Sequence, residues 1–379
     1  MDSYRSNDHP GLSRLTLCLS GDVMTGRGID QVLPHSVRPR LYERYVTDAR
    51  RYLQLAEREN GSIPEEVSYD YIWGDALTEL VHFNPEVRII NLETAVTTHA
   101  EPWPGKSIHY RMHPGNTPLL KEAGIDCAVL GNNHVMDWGY EGLNESLDSL
   151  RQAGVHTAGA GKTRKRAAKP AQLHTETGRV LVFSYGTATA GIPKAWEARE
   201  DRPGVNLLAH IDRKSAERVA ADVKKNRHNG DRVIVSLHWG SNWGYQIPKS
   251  ERQFARRLIE SGCVDLVYGH SSHHRKGIEV YNGRLILYGC GDLINDYEGI
   301  SGHEEFRDDL VLLYFPGLDA DGILESLVMS PLQIRRFRLQ RPSDESVEWL
   351  ARLLDEQCGR FGHSVSLRSD GRLELQWKE

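Results

Sequence analysis

Short apolar, β-branched runs alternate with amphipathic stretches at helical spacing from Leu15 to Gly291. The runs Leu15–Ser20, Val87–Asn91, Cys127–Leu130, Val180–Ser184, Val233–Leu237, Val264–Tyr268 and Leu285–Tyr288 are continuous and close on Gly or polar residues. Such runs predict strands buried on both faces that end at loops. Between them, Leu143, Leu147 and Leu150 share one helical face, and Phe254, Leu258 and Ile259 share another before the stop at Gly262. Residues 38–60, with Leu41, Tyr45, Tyr52 and Leu55 on one side, predict a helix within an insertion at about residues 31–75. Beyond about residue 305 the pattern changes. Asp309–Phe315 and Ile323–Met329 flank a hairpin signal at Asp319–Gly322, a helix follows over about 343–358, and Val365–Leu367 with Leu373–Trp377 form a last hairpin. The pattern predicts an α/β unit over residues 14–305 and a small α+β extension over 306–379 packed on it.

Composition narrows the class. The chain has 379 residues, with 47 Lys and Arg against 52 Asp and Glu, a formal charge of −5. A chain of this size buries about three quarters of its extended surface, so a large core forms without cross-links. The acidic balance argues against nucleic acid as a partner, because such binding needs a basic surface to displace counterions. The one basic run, Lys162–Lys169, lacks interleaved aromatics and reads as a solvated face or loop. Cys18, Cys127, Cys263, Cys290 and Cys358 are widely spaced with no C-x-x-C pair, so they read as small buried hydrophobes in a reducing compartment. The N-terminal MDSYRSNDHPGLSR lacks the apolar centre of a secretion signal, and no stretch approaches about 18 uninterrupted apolar residues. The expectation is a cytoplasmic protein without a membrane span.

The strand ends carry the chemistry, since ligands of open α/β sheets bind beyond the carboxyl ends of strands. Ser20-Gly21-Asp22 closes the first run, Asn91-Leu92-Glu93 the second, and Gly131-Asn132-Asn133-His134 with Asp137 the third. His238 ends the Val233–Leu237 run, and Gly269-His270-Ser271-Ser272-His273-His274 follows the next. Singly, Asp22 and Glu93 read as helix-start carboxylates and His238 as a hydrogen-bonded core histidine. Together, Asp22, Glu93, Asn133, His238, His270 and His273 form a mixed oxygen and nitrogen donor set for one or two divalent ions, Mn, Fe or Zn. His273 and His274 compete for one place in it. A metal pair polarises a substrate oxygen and lowers the pKa of a bound water, which serves hydrolysis, or it stabilises an enolate. His134 suits protonation of a leaving group, with Asp137 fixing its tautomer.

The set GDVMTGR, NLE, GNNHVMDWG, HWG and GHSSHH followed by GIEVYNGRLILYGCGD resembles the CapA (poly-γ-glutamate capsule-synthesis) family over approximately residues 15–297. That family is similar in fold to the calcineurin-like metallophosphatases, which implies an α/β/β/α sandwich with two central mixed sheets. The resemblance implies Asp22, Glu93 and His273 around one metal, and Glu93, Asn133, His238 and His270 around the other. It implies His134 as the acid/base residue and Asp137 as its orienter. Met24 stands where metallophosphatases carry the histidine of a D-x-H motif. Arg27 is a candidate for a substrate carboxylate or phosphate, because a guanidinium fork suits either. Asn132 and Arg111 are further substrate-binding candidates, Arg111 lying in a Pro-rich loop (Glu101–Pro114) that reads equally as a lid over the site or as a packed surface loop. The expected function is a metal-dependent enzyme acting on an amide- or peptide-like, carboxylate-bearing substrate, with hydrolysis or transfer of poly-γ-glutamate the implied version. The same groups suit peptide epimerisation by Cα proton abstraction, with Asp22 or a nearby His as base. A phosphoesterase and a non-catalytic capsule-assembly or binding protein are the remaining readings.

Overall fold

A computed structural model describes residues 14–378. The N-terminal segment read for a secretion signal lies outside the described residues, Arg14 apart. Two β-sheets face each other, and helices cover their outer sides. In the first sheet Leu15–Val23, Val87–Leu92, Cys127–Val129 and His156–Ala158 run parallel, and Leu310–Leu318 joins Leu15–Val23 antiparallel. In the second, Gly178–Thr187, Arg232–His238, Leu266–His270 and Arg284–Leu287 run parallel, with Ile278–Tyr281 antiparallel at one side. Both sheets are therefore mixed, and the layering is α/β/β/α.

The apolar runs explain this layering. Leu17, Leu19, Ile89 and Val129 meet Val182, Ile234, Leu266 and Leu287 between the sheets. The residues that alternate with them point outward. Cys18, Ile90 and Ala128 pack on Ala76, Leu80, Leu143 and Leu150 from two helices, and Leu181, Phe183, Val233 and Val235 pack on Val219, Val223, Phe254 and Leu258 from two others. Each full burial of such a side chain contributes about 1.5–3 kcal/mol, so strands apolar on both faces need no disulfide. All five cysteines are free and buried, as their apolar settings predict. The basic run is a solvated turn of helix, Arg164–Ala167, capped by Thr163, with Lys162 paired to Asp148 at 2.8 Å.

Two expectations change. The helix predicted over 38–60 forms only over Arg50–Asn60. Upstream the chain makes a small loop closed by Leu41 N–H to Thr47 O (2.9 Å) and Ala49 N–H to Pro39 O (2.7 Å), and Tyr45 is 85% exposed. Glu43 in that loop pairs with Arg27 and Tyr52, a tertiary contact that a continuous helix would forgo. The C-terminal segment is joined to the first sheet strand to strand. Leu310–Leu318 pairs with both Leu15–Val23 and Leu324–Arg335, and the helix Asp344–Gly359 lies against the core between the sheets through Val347, Leu350 and Leu354.

One polar contact ties the sheets beneath the strand ends. The Tyr268 hydroxyl, fully buried, donates to the Ser20 carbonyl and accepts from the Ser20 N–H at 3.2 Å. Ser20 sits where the register between Leu15–Val23 and Val87–Leu92 shifts, so part of its backbone bonding comes from the opposite sheet. Tyr268→Phe strands these buried groups and is expected to destabilise the fold by about 1–3 kcal/mol. Chemical denaturation checks this, and an unchanged midpoint would show the tie to be dispensable.

Candidate metal centre

The parallel strands of both sheets point their carboxyl ends the same way, and the polar strand-end residues converge there. Asp22, Asn91, His238 and His270 are strand residues proper. Asp22 lies opposite Asn91 within the first sheet, and His238 lies opposite His270 within the second. The Leu266–His270 strand runs two residues further than the apolar run suggested, which makes His270 its last member. Gly21 is required by close approach, since a Cβ there would stand 1.7 Å from the Gly291 carbonyl oxygen. That approach lets Asp22 N–H donate to Gly291 O (2.9 Å) and sets Asp22 beside Asp292 in parallel register.

Two buried donor groups share Asp22. One joins Asp22, His273 and Asp292, and the other joins Asp22, Glu93 and His238, with the ligand atoms of each within 4.8 Å of one another. His273 Nδ1 is 2.9 Å from Asp292 Oδ1, and His238 Nδ1 is 3.9 Å from Glu93 Oε2. His238 Nε2 donates to Asn133 Oδ1 at 2.9 Å, which leaves the Nδ1 lone pair facing the carboxylates. His270 Nε2 is 3.0 Å from Ser236 Oγ, while its buried Nδ1 has no hydrogen-bond partner and lies 3.6 Å from Asp22 Oδ1. The Ser271 backbone, at φ +89°, turns its N–H back to Asp22 Oδ2 (3.3 Å), a strained conformation held at the strand end.

The six expected donors are thus brought together, with three differences from the implied arrangement. Asp22, not Glu93, is the carboxylate common to both groups. Asn133 holds His238 through its side-chain oxygen. Asp292 completes the group formed with Asp22 and His273. Its signal was visible in the chain, because Cys290-Gly291-Asp292 repeats the strand-end pattern of Ser20-Gly21-Asp22. His274 points elsewhere, stacking on Phe306 with ring centres 4.6 Å apart. Asn91 is a further central residue, donating to Asp22 Oδ1 (2.7 Å) and Glu93 Oε2 (3.2 Å).

His134 and Asp137 form the expected pair, with Nδ1 2.6 Å from Asp137 Oδ2 and Nε2 3.8 Å from Glu93 Oε1. The three substrate-binding candidates are occupied otherwise. Arg27 is buried, binds Asp296 through Nε (3.1 Å) and Nη2 and Glu43 through Nη1 (3.0 Å), and lies between the Tyr52 and Tyr110 rings. Arg111 donates to the His99 and Arg38 carbonyls and covers Trp138. Asn132 spends its amide on Asn91 and Leu92 and its oxygen on the His134 and Val135 N–H groups. All three organise the walls of the site.

The donor chemistry fits divalent ions. Burial pushes Asp22 up to about 6, and burial together with the Asp22 charge holds Glu93 well above the carboxylate range. Burial lowers His270 to about 3 and His238 well below the usual imidazole value, so both are neutral donors at pH 7. Carboxyls raised this way are costly once ionised. Without a cation, their contribution to stability falls as pH rises from the unfolded value of about 4 through the folded value of about 6 for Asp22. A cation displaces the protons and removes the cost. The stabilisation by Mn²⁺ or Zn²⁺ in thermal melts is therefore expected to be small near pH 4 and to grow through pH 6 and above, and a pH-independent gain would contradict the cluster. Asp292→Asn is expected to lower the metal content measured by elemental analysis while leaving the fold intact.

The sequence matches the family described as bacterial capsule synthesis protein PGA_cap over residues 16–297. A protein of Mycobacterium tuberculosis (strain CDC 1551 / Oshkosh) named probable polyglutamine synthesis accessory protein is 46% identical over 364 residues, 95% of this chain and 96% of that protein. The PGA biosynthesis protein CapA of Bacillus subtilis (strain 168) is 27% identical over 60% of this chain and 56% of its own length. The capsule biosynthesis protein CapA of Bacillus anthracis is 24% identical over 86% of this chain and 69% of its own length. With a match that spans every strand end of the cluster, the chain belongs to the bacterial capsule synthesis protein PGA_cap family.

Proposed function

We propose that this chain is a metal-dependent enzyme that cleaves or transfers at amide bonds of a poly-γ-glutamate-type, carboxylate-bearing chain. The observation that carries this reading is the disposition of His134. Asp137 Oδ2 accepts the Nδ1 proton (2.6 Å), which leaves Nε2 bare and aimed at the acidic cluster. A purely structural metal site has no use for such an imidazole. Burial, reinforced by the Lys106 charge, pushes His134 down to about 4, so it enters the reaction neutral and able to accept a proton.

Asp22, Glu93, His238, His270, His273 and Asp292 supply the donors for the metal. Divalent ions held there supply Lewis acidity toward a carbonyl oxygen and ionise water near neutral pH. In hydrolysis, water oxygen bonds to the amide carbon, the C–N bond breaks, and His134 Nε2 passes the proton to the leaving nitrogen. Asp137 keeps the ring oriented through both proton transfers, and Tyr110 N–H (2.6 Å) fixes Asp137 in turn. The choice of substrate leans on relatives whose names refer to polyglutamine synthesis and PGA biosynthesis.

His134→Ala is expected to keep metal content and melting temperature while losing about 10²- to 10⁴-fold in cleavage or transfer of poly-γ-glutamate, followed by chain length and new amino termini. Unchanged turnover would sink the enzymatic reading and favour an accessory binding role. Mass spectrometry in D₂O separates the outcome from epimerisation, which adds one deuterium without shortening the chain.

A further inference from the structure

The two arginines that the sequence offers for an anionic substrate are committed to Asp296, Glu43 and backbone carbonyls. A different cation reaches the His134–Asp137 pair. Trp103 N–H donates to Asp137 O (2.7 Å) and Tyr110 N–H to Asp137 Oδ2 (2.6 Å), so the intervening chain is strapped across the site at both ends. Between these anchors Pro104, Gly105, Ser107 and Ile108 are exposed, whereas the Lys106 side chain is only 18% exposed and turns inward. Its Nζ pairs with Asp137 Oδ1 and lies 2.9 Å from His134 Nδ1.

Of the two Asp137 oxygens, Oδ1 has Lys106 as its partner and Oδ2 is held without it. Oδ2 accepts from His134 Nδ1 and Tyr110 N–H. With the Nδ1 proton committed to Asp137, that nitrogen offers the ammonium no lone pair. Lys106 therefore has one anionic partner, a four-carbon stem that re-aims without backbone movement, and donors to spare. In a γ-linked glutamate chain the carbon bonded to the leaving nitrogen carries a free carboxylate. When His134 Nε2 addresses that nitrogen, the carboxylate falls beside the imidazole.

Resting on the reading of amide cleavage above, we propose that Lys106 forms a subsite for the leaving-side α-carboxylate, exchanging Asp137 for the substrate's carboxylate on binding. It is a specificity-determining residue, separate from the metal donors.

The test uses the full chain loaded with Mn²⁺ and calorimetric binding of a short γ-glutamyl oligomer and of the same oligomer with its α-carboxylates converted to carboxamides. Wild type is expected to prefer the acid form about tenfold or more. Lys106→Gln should erase that preference with the metal content unchanged, and Lys106→Arg should restore part of it. A preference that survives in Lys106→Gln, or equal binding of the two oligomers by wild type, overturns the subsite and leaves the amide-chain reading standing. Binding of neither oligomer by metal-loaded wild type overturns both.

Discussion

Like charge confined in a dry place is the constraint on which this structure turns. Asp22, Glu93 and Asp292 are all buried, and Asp22 lies in both donor groups, within reach of the other two. Ionised carboxylates removed from water repel one another strongly and lose their hydration. Either protons or cations must neutralise them. The surrounding imidazoles do not take that role uniformly. Burial keeps His238 and His270 neutral, while His273 is raised only because Asp292 and Asp22 outweigh its burial. The cluster could thus hold a metal ion in place of those protons.

Holding those groups together falls to the backbone. The parallel strands of the two facing sheets deliver their ends to one edge, but facing sheets tolerate sliding unless something registers them. Tyr268 supplies that register by bonding Ser20 across the interface, two residues from Asp22. Gly21 permits the close approach to the Gly291 carbonyl that places Asp22 against Asp292. Packing between the sheets supplies the bulk of the stability, and these few polar and steric contacts fix the geometry at the mouth.

The walls of the site illustrate how buried arginine behaves. A guanidinium in a low-dielectric setting must spend its donors on fixed partners. Arg27 does so on Asp296 and Glu43, and Arg111 on carbonyls, which makes both into struts. Lys106, its side chain 18% exposed, has Asp137 as its one paired carboxylate, on a strap whose neighbouring residues are exposed. The proposed recognition of an anionic chain accordingly falls to Lys106, whose sequence neighbours, Gly105 and Ser107, give it no distinguishing mark, and not to the arginines of the GDVMTGR and HYRMHP segments.

Sequence alone determined the strand runs and the family resemblance, because local apolar continuity closed by Gly or a polar residue is a short-range property, and it led to the expectation that Asp22, Glu93, His238, His270 and His273 meet. It also held the His134–Asp137 pair, three residues apart and so joined by local geometry. Tertiary structure alone decided the rest. Asp292, whose Cys-Gly-Asp setting the chain already shows, met its partner through parallel register with Asp22, 270 positions away in the chain. Arg27 was claimed by Asp296 from across the first sheet, and the 38–49 stretch gave up its helix so that Glu43 reaches both Arg27 and Tyr52. The physical reason is common to all three. A buried charge selects its partner by distance in space, and spacing along the chain carries no record of which distant partner that is.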